Sequence, residues 1–129
     1  MGNKQLVDVR DRKLKVLRLS LKQNCNFSCI YCKPENNNVE ELNIEQFKKL
    51  IFVSCRLGIN SLRITGGEPL LSSQLDQLLH EIKLQRLEQS NPVSHVKDIS
   101  LTTNGYLLSK KKAIDLFKNG LDRITVSLD

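Results

Sequence analysis

Residues 61–82, SLRITGGEPLLSSQLDQLLHEI, contain the pattern that decides the fold. Ser61–Thr65 predicts a short strand, the Gly-Gly-Glu-Pro run at 66–69 predicts a turn, and a helix is expected over 73–89. That helix carries its apolar stripe at four positions: Leu75, Leu78, Leu79 and Ile82. A strand, a turn and an amphipathic helix in this order form one βα unit.

The same rhythm continues on both sides of this unit. Further strands are expected at 14–21, 98–102 and 123–128, with residues 1–13 as an N-terminal arm and 14–129 as βα units of one partial domain. Asn43 is expected to cap a helix that starts at Ile44 and ends at Gly58, and Ser109 to cap another. The first of these helices should bury Ile44, Phe47, Leu50, Ile51 and Ser54; the other should bury Ala113, Ile114 and Phe117. The pattern predicts an α/β fold with a parallel sheet, either doubly wound or part of a barrel.

Size and composition narrow the function. A chain of 129 residues has room for about half of a full barrel, which takes about 250. The last predicted strand would then be an unpaired edge, so we expect a fragment of a longer parent or a barrel that a second chain completes. The net charge of +6 suggests a phosphorylated small molecule as partner, or simply solvated lysines. With 5% aromatic residues and no Trp, nucleic acid is not expected.

The compartment is expected to be reducing. No apolar run approaches the ~18 residues of a membrane span, and the N-terminus lacks a secretory signal. We therefore expect no membrane association and a location in the cytoplasm or a reducing organelle interior. The four cysteines are accordingly not read as disulfides.

Three cysteines follow the first predicted strand with the spacing C-x3-C-x2-C: Cys25, Cys29 and Cys32. Three thiolates can bind three irons of a [4Fe–4S] cubane and leave the fourth iron open for another ligand. A Cys3His zinc site is the alternative, but His80 and His95 lack the spacing for it. Cys55 lies in a predicted helix and is expected to be a small buried side chain.

These residues resemble a known family. The segment Cys25–Cys32, CNFSCIYC, resembles the signature of the radical S-adenosylmethionine (SAM) superfamily. Four further blocks follow in the same order as in the GTP 3′,8-cyclase family (molybdenum cofactor biosynthesis protein A): RITGGEPL at 63–70, LTTNG at 101–105, GLDRI at 120–124 and VSLD at 126–129. The resemblance implies an incomplete (β/α) barrel of the radical SAM type, with about four parallel strands and the helices outside.

The resemblance also implies the cofactors and their ligands. Cys25, Cys29 and Cys32 would hold a [4Fe–4S] cluster, and SAM would bind the open iron and release a 5′-deoxyadenosyl radical after accepting one electron. Five residues would contact SAM: Tyr31 at the adenine, Gly66 and Gly67 near the methionyl group, Glu68 at the amino group and Ser127 at the carboxylate. Two of these roles have alternatives. Glu68 could instead support a helix that starts at Pro69, and Ser127 could be a strand hydroxyl that faces a helix.

The substrate implied by the resemblance is GTP or a related small molecule. Arg18 and Arg63 interrupt apolar strands, where a buried guanidinium needs an anion, and the family places GTP contacts at the matching positions. The alternative is an arginine on the far side of its strand, paired with a carboxylate. Thr102 is the third expected GTP contact, although strand register could select Thr103 instead.

The implied activity is that of a lyase of molybdopterin synthesis, and it needs a one-electron donor. The family carries a second, C-terminal cysteine set that these 129 residues lack, so the isolated chain is not expected to complete GTP cyclisation. Two other functions stay open at this point: a radical SAM peptide-modifying enzyme and a non-catalytic remnant that binds a cluster or a partner chain.

Overall fold

The computed structural model describes residues 4–22 and 40–128. Its centre is a four-stranded parallel sheet in the order β1-β2-β3-β4. The strands are β1 (Val16–Ser20), β2 (Ser61–Thr65), β3 (Asp98–Thr103) and β4 (Arg123–Val126). The predicted parallel strands are therefore confirmed, with ends within two residues of those expected.

Among the described residues, three helices lie between the strands. They are α1 (Ile44–Arg56), α2 (Leu75–Leu87) and α3 (Lys110–Lys118), and short 3₁₀ turns cover Pro69–Leu71 and Pro92–His95. Asn43 caps α1 in both directions: its side chain accepts from Gln46 N at 2.9 Å, and the Gln46 side chain accepts from Asn43 N at 2.9 Å. Gly58 follows α1 with φ +99°, and Ser109 caps α3, as predicted.

All three helices pack on the same face of the sheet. Strand residues facing them form a row in register across all four strands: Leu19, Ile64, Leu101 and Ile124. This row belongs to one core with side chains of every helix, among them Phe47 and Ile51 of α1, Leu78 and Leu79 of α2, and Leu116 of α3. A doubly wound sheet would carry helices on both faces and reverse its strand order. One-sided packing with sequential order is the winding of a barrel, so the choice that the sequence left open is settled.

The other face of the sheet is not covered by these helices, and we call it the open face. It presents polar side chains at alternate strand positions, since successive residues of a strand point to opposite sides. One row in register consists of Arg18, Arg63, Ser100 and Arg123. The open face corresponds to the interior of the partial barrel.

Two helix faces differ from the expectation. In α3 the prediction of Ala113, Ile114 and Phe117 as the inner face is wrong for the last two, which are 43% and 49% exposed, while Leu116 is fully buried. Ala113 and Leu116 are three residues apart and share the side that meets the sheet. In α1, the prediction that Leu50 is buried is wrong, since its side chain is 40% exposed, whereas Cys55 is buried as expected. The apolar residues of both helices outnumber the positions that one sheet can cover.

The N-terminal arm packs against the end of α1. Leu6 N donates to Leu57 O at 3.0 Å, and Val7 and Lys13 form an antiparallel bridge. The arm therefore lies near the amino-terminal ends of the strands. Over residues 4–22 and 40–128, no helix is long and apolar enough to cross a membrane.

Candidate functional site

The candidate site lies along the carboxyl edge of the sheet, where the loops after the four strands meet. Leu21 N, just beyond β1, donates to Thr65 O at 3.1 Å. Ser127 N, just beyond β4, donates to Thr103 O at 2.9 Å. Hydrogen bonds therefore hold the strand ends together at both sides of this edge. In barrels of parallel strands, active sites form at this end.

The loop after β2 packs on the main chain after β1. Gly67 N donates to Lys22 O at 2.6 Å. Gly66 has φ +144°, and a Cβ on it would lie 2.4 Å from the same Lys22 oxygen. Only glycine fits there, because any side chain would overlap the carbonyl. The resemblance implied that Gly66 and Gly67 approach the methionyl group of SAM, which stays a prediction; the close approach seen among the described residues is to Lys22.

Glu68 is fully buried and joins the loops after β2 and β3. Its carboxylate accepts from Leu70 N at 3.1 Å, from Thr103 Oγ1 at 2.6 Å and from Asn104 N at 2.8 Å. The first bond caps the 3₁₀ turn that starts at Pro69, which is the structural role weighed for this residue. The bonds from Thr103 and Asn104 were missed by sequence reasoning, because only the tertiary fold shows which strand end lies beside Glu68. Its role at the SAM amino group stays a prediction.

The two threonines at the end of β3 point to opposite faces. Thr103 is buried on the helix side and aligned with Val126, whereas Thr102 is half-buried on the open face and aligned with Thr125. Register therefore places the Thr102 side chain on the same face as Arg18 and Arg63. The open-face position expected of a substrate contact belongs to Thr102.

Arg18 and Arg63 lie side by side on the open face. They are register partners in β1 and β2, and both are exposed. The expectation that these guanidinium groups are buried is wrong, because the described helices do not cover the face to which they point. Within residues 4–22 and 40–128, neither forms an ion pair with a carboxylate, so the alternative of a paired structural arginine is not seen there.

Arg123, in the same row, is held by a carboxylate. Its Nε lies 3.0 Å from Asp98 Oδ1 and its Nη2 lies 2.5 Å from Asp98 Oδ2. The pKa of Asp98 is lowered, first by this hydrogen bond and then by the charges of Arg123, Arg63 and Arg86, against an opposing effect of burial. Sequence reasoning missed this pair, although an Asp and an Arg that open neighbouring strands are a signal for it.

Ser127 lies at the carboxyl edge as predicted for a SAM contact. It follows β4 directly and is exposed. Its main chain is fixed to β3, but in the described part of the chain its hydroxyl makes no hydrogen bond. Its contact with the SAM carboxylate and the alternative, a hydroxyl that faces a helix, both stay predictions.

The predicted cluster ligands, Cys25, Cys29 and Cys32, and the predicted adenine contact Tyr31 lie outside the described residues. Within the described ranges, no group of three His, Cys, Asp or Glu side chains could hold a metal ion. Cys55 is 7% exposed, and burial raises the pKa of its thiol to about 11. Cys55 is therefore the small buried side chain that was expected.

Comparison with known proteins decides the family. The model of the radical SAM superfamily matches residues 19–129, which include every motif discussed above. The chain belongs to the radical SAM superfamily. The predicted superfamily and the predicted partial radical SAM barrel are thereby confirmed.

Curated relatives of this radical SAM chain are similar over nearly its whole length. It is 54% identical over 125 residues to the GTP 3′,8-cyclase of Parasynechococcus marenigrum (strain WH8102), with 96% of the chain and 36% of that protein covered. It is 40% identical over 125 residues to the probable GTP 3′,8-cyclase of Methanococcus aeolicus, with 95% and 40% covered. The chain therefore spans little more than a third of the length of these relatives.

A solved structure supports the radical SAM fold. The crystal structure of BtrN in complex with AdoMet and 2-DOIA superposes with a TM-score of 0.73 at 20% identity, over 95% of this chain and 46% of that one. BtrN in an open conformation gives a TM-score of 0.70 over 90% of this chain. At such identities the likeness concerns the fold. The superposition covers a little less than half of the BtrN chain.

Membership of the superfamily implies two cofactors, a [4Fe–4S] cluster and SAM. The described residues are consistent with both. The segment that leads to Cys25 leaves the carboxyl edge at Lys22, and the Gly66–Gly67 loop is hydrogen-bonded to it. Thiolates are the ligands of iron–sulfur clusters, and a fourth open iron is available to SAM. The loop predicted to contact SAM therefore lies beside the main chain that precedes the predicted cluster ligands in sequence.

Proposed function

We propose that this chain is the N-terminal part of a radical SAM enzyme of the GTP 3′,8-cyclase kind, which acts in molybdenum cofactor biosynthesis. The observation that carries the proposal is 54% identity to a GTP 3′,8-cyclase over 96% of the chain. When bound, the cluster and SAM supply a 5′-deoxyadenosyl radical for hydrogen abstraction from the substrate. The residues of the chain would bind and orient the cluster, SAM and the substrate.

The cluster end of the site consists of the three cysteines. Cys25, Cys29 and Cys32 would each bind one iron as thiolates. Tyr31 would lie against the adenine of SAM, between the second and third of these ligands. The loop of Gly66, Gly67 and Glu68 would contact the methionyl part, and Ser127 would donate to its carboxylate. The hydroxyl of Ser127 is available for this because it makes no bond within the described residues.

The substrate end is the open face. Neighbouring strands are about 4.8 Å apart, so Arg18 and Arg63 together can bind one polyphosphate group. In the described parts of the chain neither arginine forms an ion pair, although the charge of Arg63 acts on Asp98, whereas Arg123 is hydrogen-bonded directly to Asp98. Thr102, on the same face, would add a hydroxyl to the GTP contact. Charge pairing thus distinguishes two substrate arginines from a third that is structural.

The partners and location follow from the same proposal. A one-electron donor would reduce the cluster, and further barrel strands, whether of a longer parent or of a second chain, would cover the open face and the edge of β4. The location would be the cytoplasm or another reducing interior, where cysteine thiolates are maintained.

Anaerobic reconstitution of the chain with iron and sulfide tests the cofactor half of the proposal. We expect about four irons per chain and a reduced-cluster EPR spectrum that shifts on addition of SAM. Cys29→Ala should lose the cluster, and Cys55→Ala serves as the matched control because Cys55 is buried. If the wild-type chain takes up no iron, or if SAM does not change its EPR spectrum, the result would favour a non-catalytic remnant.

Equilibrium dialysis with GTP tests the substrate half. Arg18→Gln and Arg63→Gln should each weaken GTP binding about tenfold, the usual effect of losing a charged hydrogen bond. Arg10→Gln is the control, since Arg10 is an exposed arginine of the N-terminal arm. Equal affinities for all three variants would contradict a GTP site on the open face and favour a different substrate, such as a peptide.

A further inference from the structure

Thr103 and Glu68 form a buried hydrogen bond that the functions proposed above do not explain. The inward-facing residues of β3 are Ile99, Leu101 and Thr103, so a hydroxyl ends an apolar series. Thr103 is 2% exposed, and its Oγ1 donates to Glu68 at 2.6 Å while accepting from Gly105 N at 3.1 Å. A valine would have the same shape without the cost of burying a hydroxyl. The hydroxyl is therefore present for its hydrogen bonds.

The Glu68 carboxylate can accept one more hydrogen bond than the described contacts provide. Glu68 Oε1 accepts from Leu70 N and from Thr103 Oγ1, and Oε2 accepts from Asn104 N. A carboxylate has about four acceptor positions, so among the described contacts one position on Oε2 is unused. The bonds from Thr103 and Asn104 fix where that oxygen lies relative to the carboxyl edge.

We propose that Thr103 is a positioning residue for SAM binding: it holds the Glu68 carboxylate and thereby couples the loop after β2 to the loop after β3. Thr103 itself does not touch SAM. The inference rests on the proposed function for its ligand, the ammonium group of SAM, while the coupling of the two loops stands on the described contacts. Loss of the hydroxyl leaves a fully buried carboxylate with one donor fewer, a costly arrangement that the loop can relieve only by moving.

Three substitutions separate a hydroxyl effect from a packing effect. Thr103→Val keeps the shape and removes the hydroxyl, whereas Thr103→Ser keeps the hydroxyl and removes a methyl group. Thr125→Val is the matched control, because Thr125 is an exposed strand threonine of β4 on the open face. All measurements use the full 129-residue chain.

Hydrogen exchange of backbone amides, followed by NMR without cofactors, is the first readout. In Thr103→Val the amides of Leu70 and Asn104 should exchange about tenfold faster, since a displaced Glu68 no longer accepts from them. Thr103→Ser and Thr125→Val should exchange like the wild type at these amides. Unchanged protection of Asn104 in Thr103→Val would overturn the proposal, whatever the chain binds.

SAM titration of the reduced, reconstituted chain by EPR is the second readout. Thr103→Val should weaken SAM binding about tenfold at unchanged iron content, and Thr103→Ser should stay within about twofold. Because Thr103 acts through Glu68, Thr103→Val should add little to the loss already caused by Glu68→Gln in a double-mutant cycle. Wild-type SAM affinity in Thr103→Val, or equal losses in Thr103→Val and Thr103→Ser, would overturn the proposal.

The two readouts distinguish a failure of the proposed function from a failure of the inference about Thr103. If the wild-type chain takes up no cluster, the proposed function fails, and hydrogen exchange alone decides whether Thr103 couples the loops. If Thr103→Val does not fold, Thr103→Ala replaces it in both readouts, because it also removes the hydroxyl that donates to Glu68. Normal Asn104 protection and normal SAM affinity in Thr103→Ala would then overturn the inference.

Discussion

Gly66 is the single residue on which the shape of the candidate site depends most directly. Its φ of +144° is unfavourable for residues with a side chain, and the space for a Cβ is occupied by Lys22 O. The constraint is between two main-chain segments, so no rotamer change can relieve it. This contact fixes the loop after β2 against the start of the segment that carries the cysteines.

Gly66→Ala should therefore lower the free energy of unfolding by at least ~2 kcal/mol, the upper part of the range for strained backbone. Gly58→Ala is the control: Gly58 also has positive φ, but the nearest atom to its Cβ would be the flexible Gln5 side chain at 3.3 Å. Only the cost of the φ angle, ~1 kcal/mol, is expected there. Urea unfolding followed by circular dichroism compares the two. Equal losses would show that the contact with Lys22 is not a constraint.

At the scale of the elements, polar contacts hold β4 to β3 near their amino-terminal ends. Asp122 accepts from Ile99 N at 2.8 Å, and Arg86 of α2 lies 3.3 Å from the same carboxylate oxygen. On the open face, Asp98 and Arg123 pair across the two strands. The edge strand β4 thus depends on specific charges as well as on the backbone ladder, because Ile124 is only partly buried.

The Asp98–Arg123 pair predicts a pH effect whose sign follows from the lowered pKa of Asp98. A carboxyl group with a pKa below its unfolded value stabilises the fold above the unfolded pKa of about 3.9. That stabilisation is lost as the pH falls through the folded pKa. Arg123→Gln should shift the Asp98 pKa upward, measured by carboxyl NMR, though only in part, since Arg63 and Arg86 also lower it.

The same substitution should lower stability modestly at pH 7, because both partners are partly exposed. The difference in the free energy of unfolding between wild type and Arg123→Gln, measured with urea, should shrink as the pH falls below the folded pKa of Asp98. Arg123→Lys preserves the charge and should show a smaller pKa change. A gap between wild type and Arg123→Gln that widens on acidification would contradict the pair as its cause.

At the scale of the whole molecule, one core lies between the sheet and its three helices. Leu62 in β2 is fully buried at the centre of this core, whereas Leu87 at the end of α2 is 74% exposed. The opposite face of the sheet carries polar and charged residues. A core on one side only means that helix-side contacts supply most of the burial.

Leu62→Ala should cost about 2–5 kcal/mol, a large part of the stability of a domain of this size. Leu87→Ala should be near neutral because its side chain is already exposed. Urea midpoints of the two variants provide the comparison. Similar, small losses for both would mean that the core in solution is not packed as described.

Strand and helix identities were readable in the sequence because apolar periodicity and local capping act over a few residues. Asn43, Gly58 and Ser109 ended or began helices where predicted. The cysteine spacing and the motif blocks likewise indicated the radical SAM superfamily, since ligands on one loop are close in sequence. The buried stripe of α2 was also correct.

Tertiary structure decided what depends on contacts between distant residues. Whether the helices cover one face or two, and hence barrel or doubly wound sheet, is set by crossovers and not by any single segment. The Glu68–Thr103 bond joins residues 35 apart, and the Asp98–Arg123 pair joins residues 25 apart. The inner face of α3 was missed because periodicity allows several adjacent apolar stripes, and only the sheet selects Leu116. Strand alternation then placed Thr102 on the open face and Thr103 in the core, a one-residue difference that sequence pattern leaves undetermined.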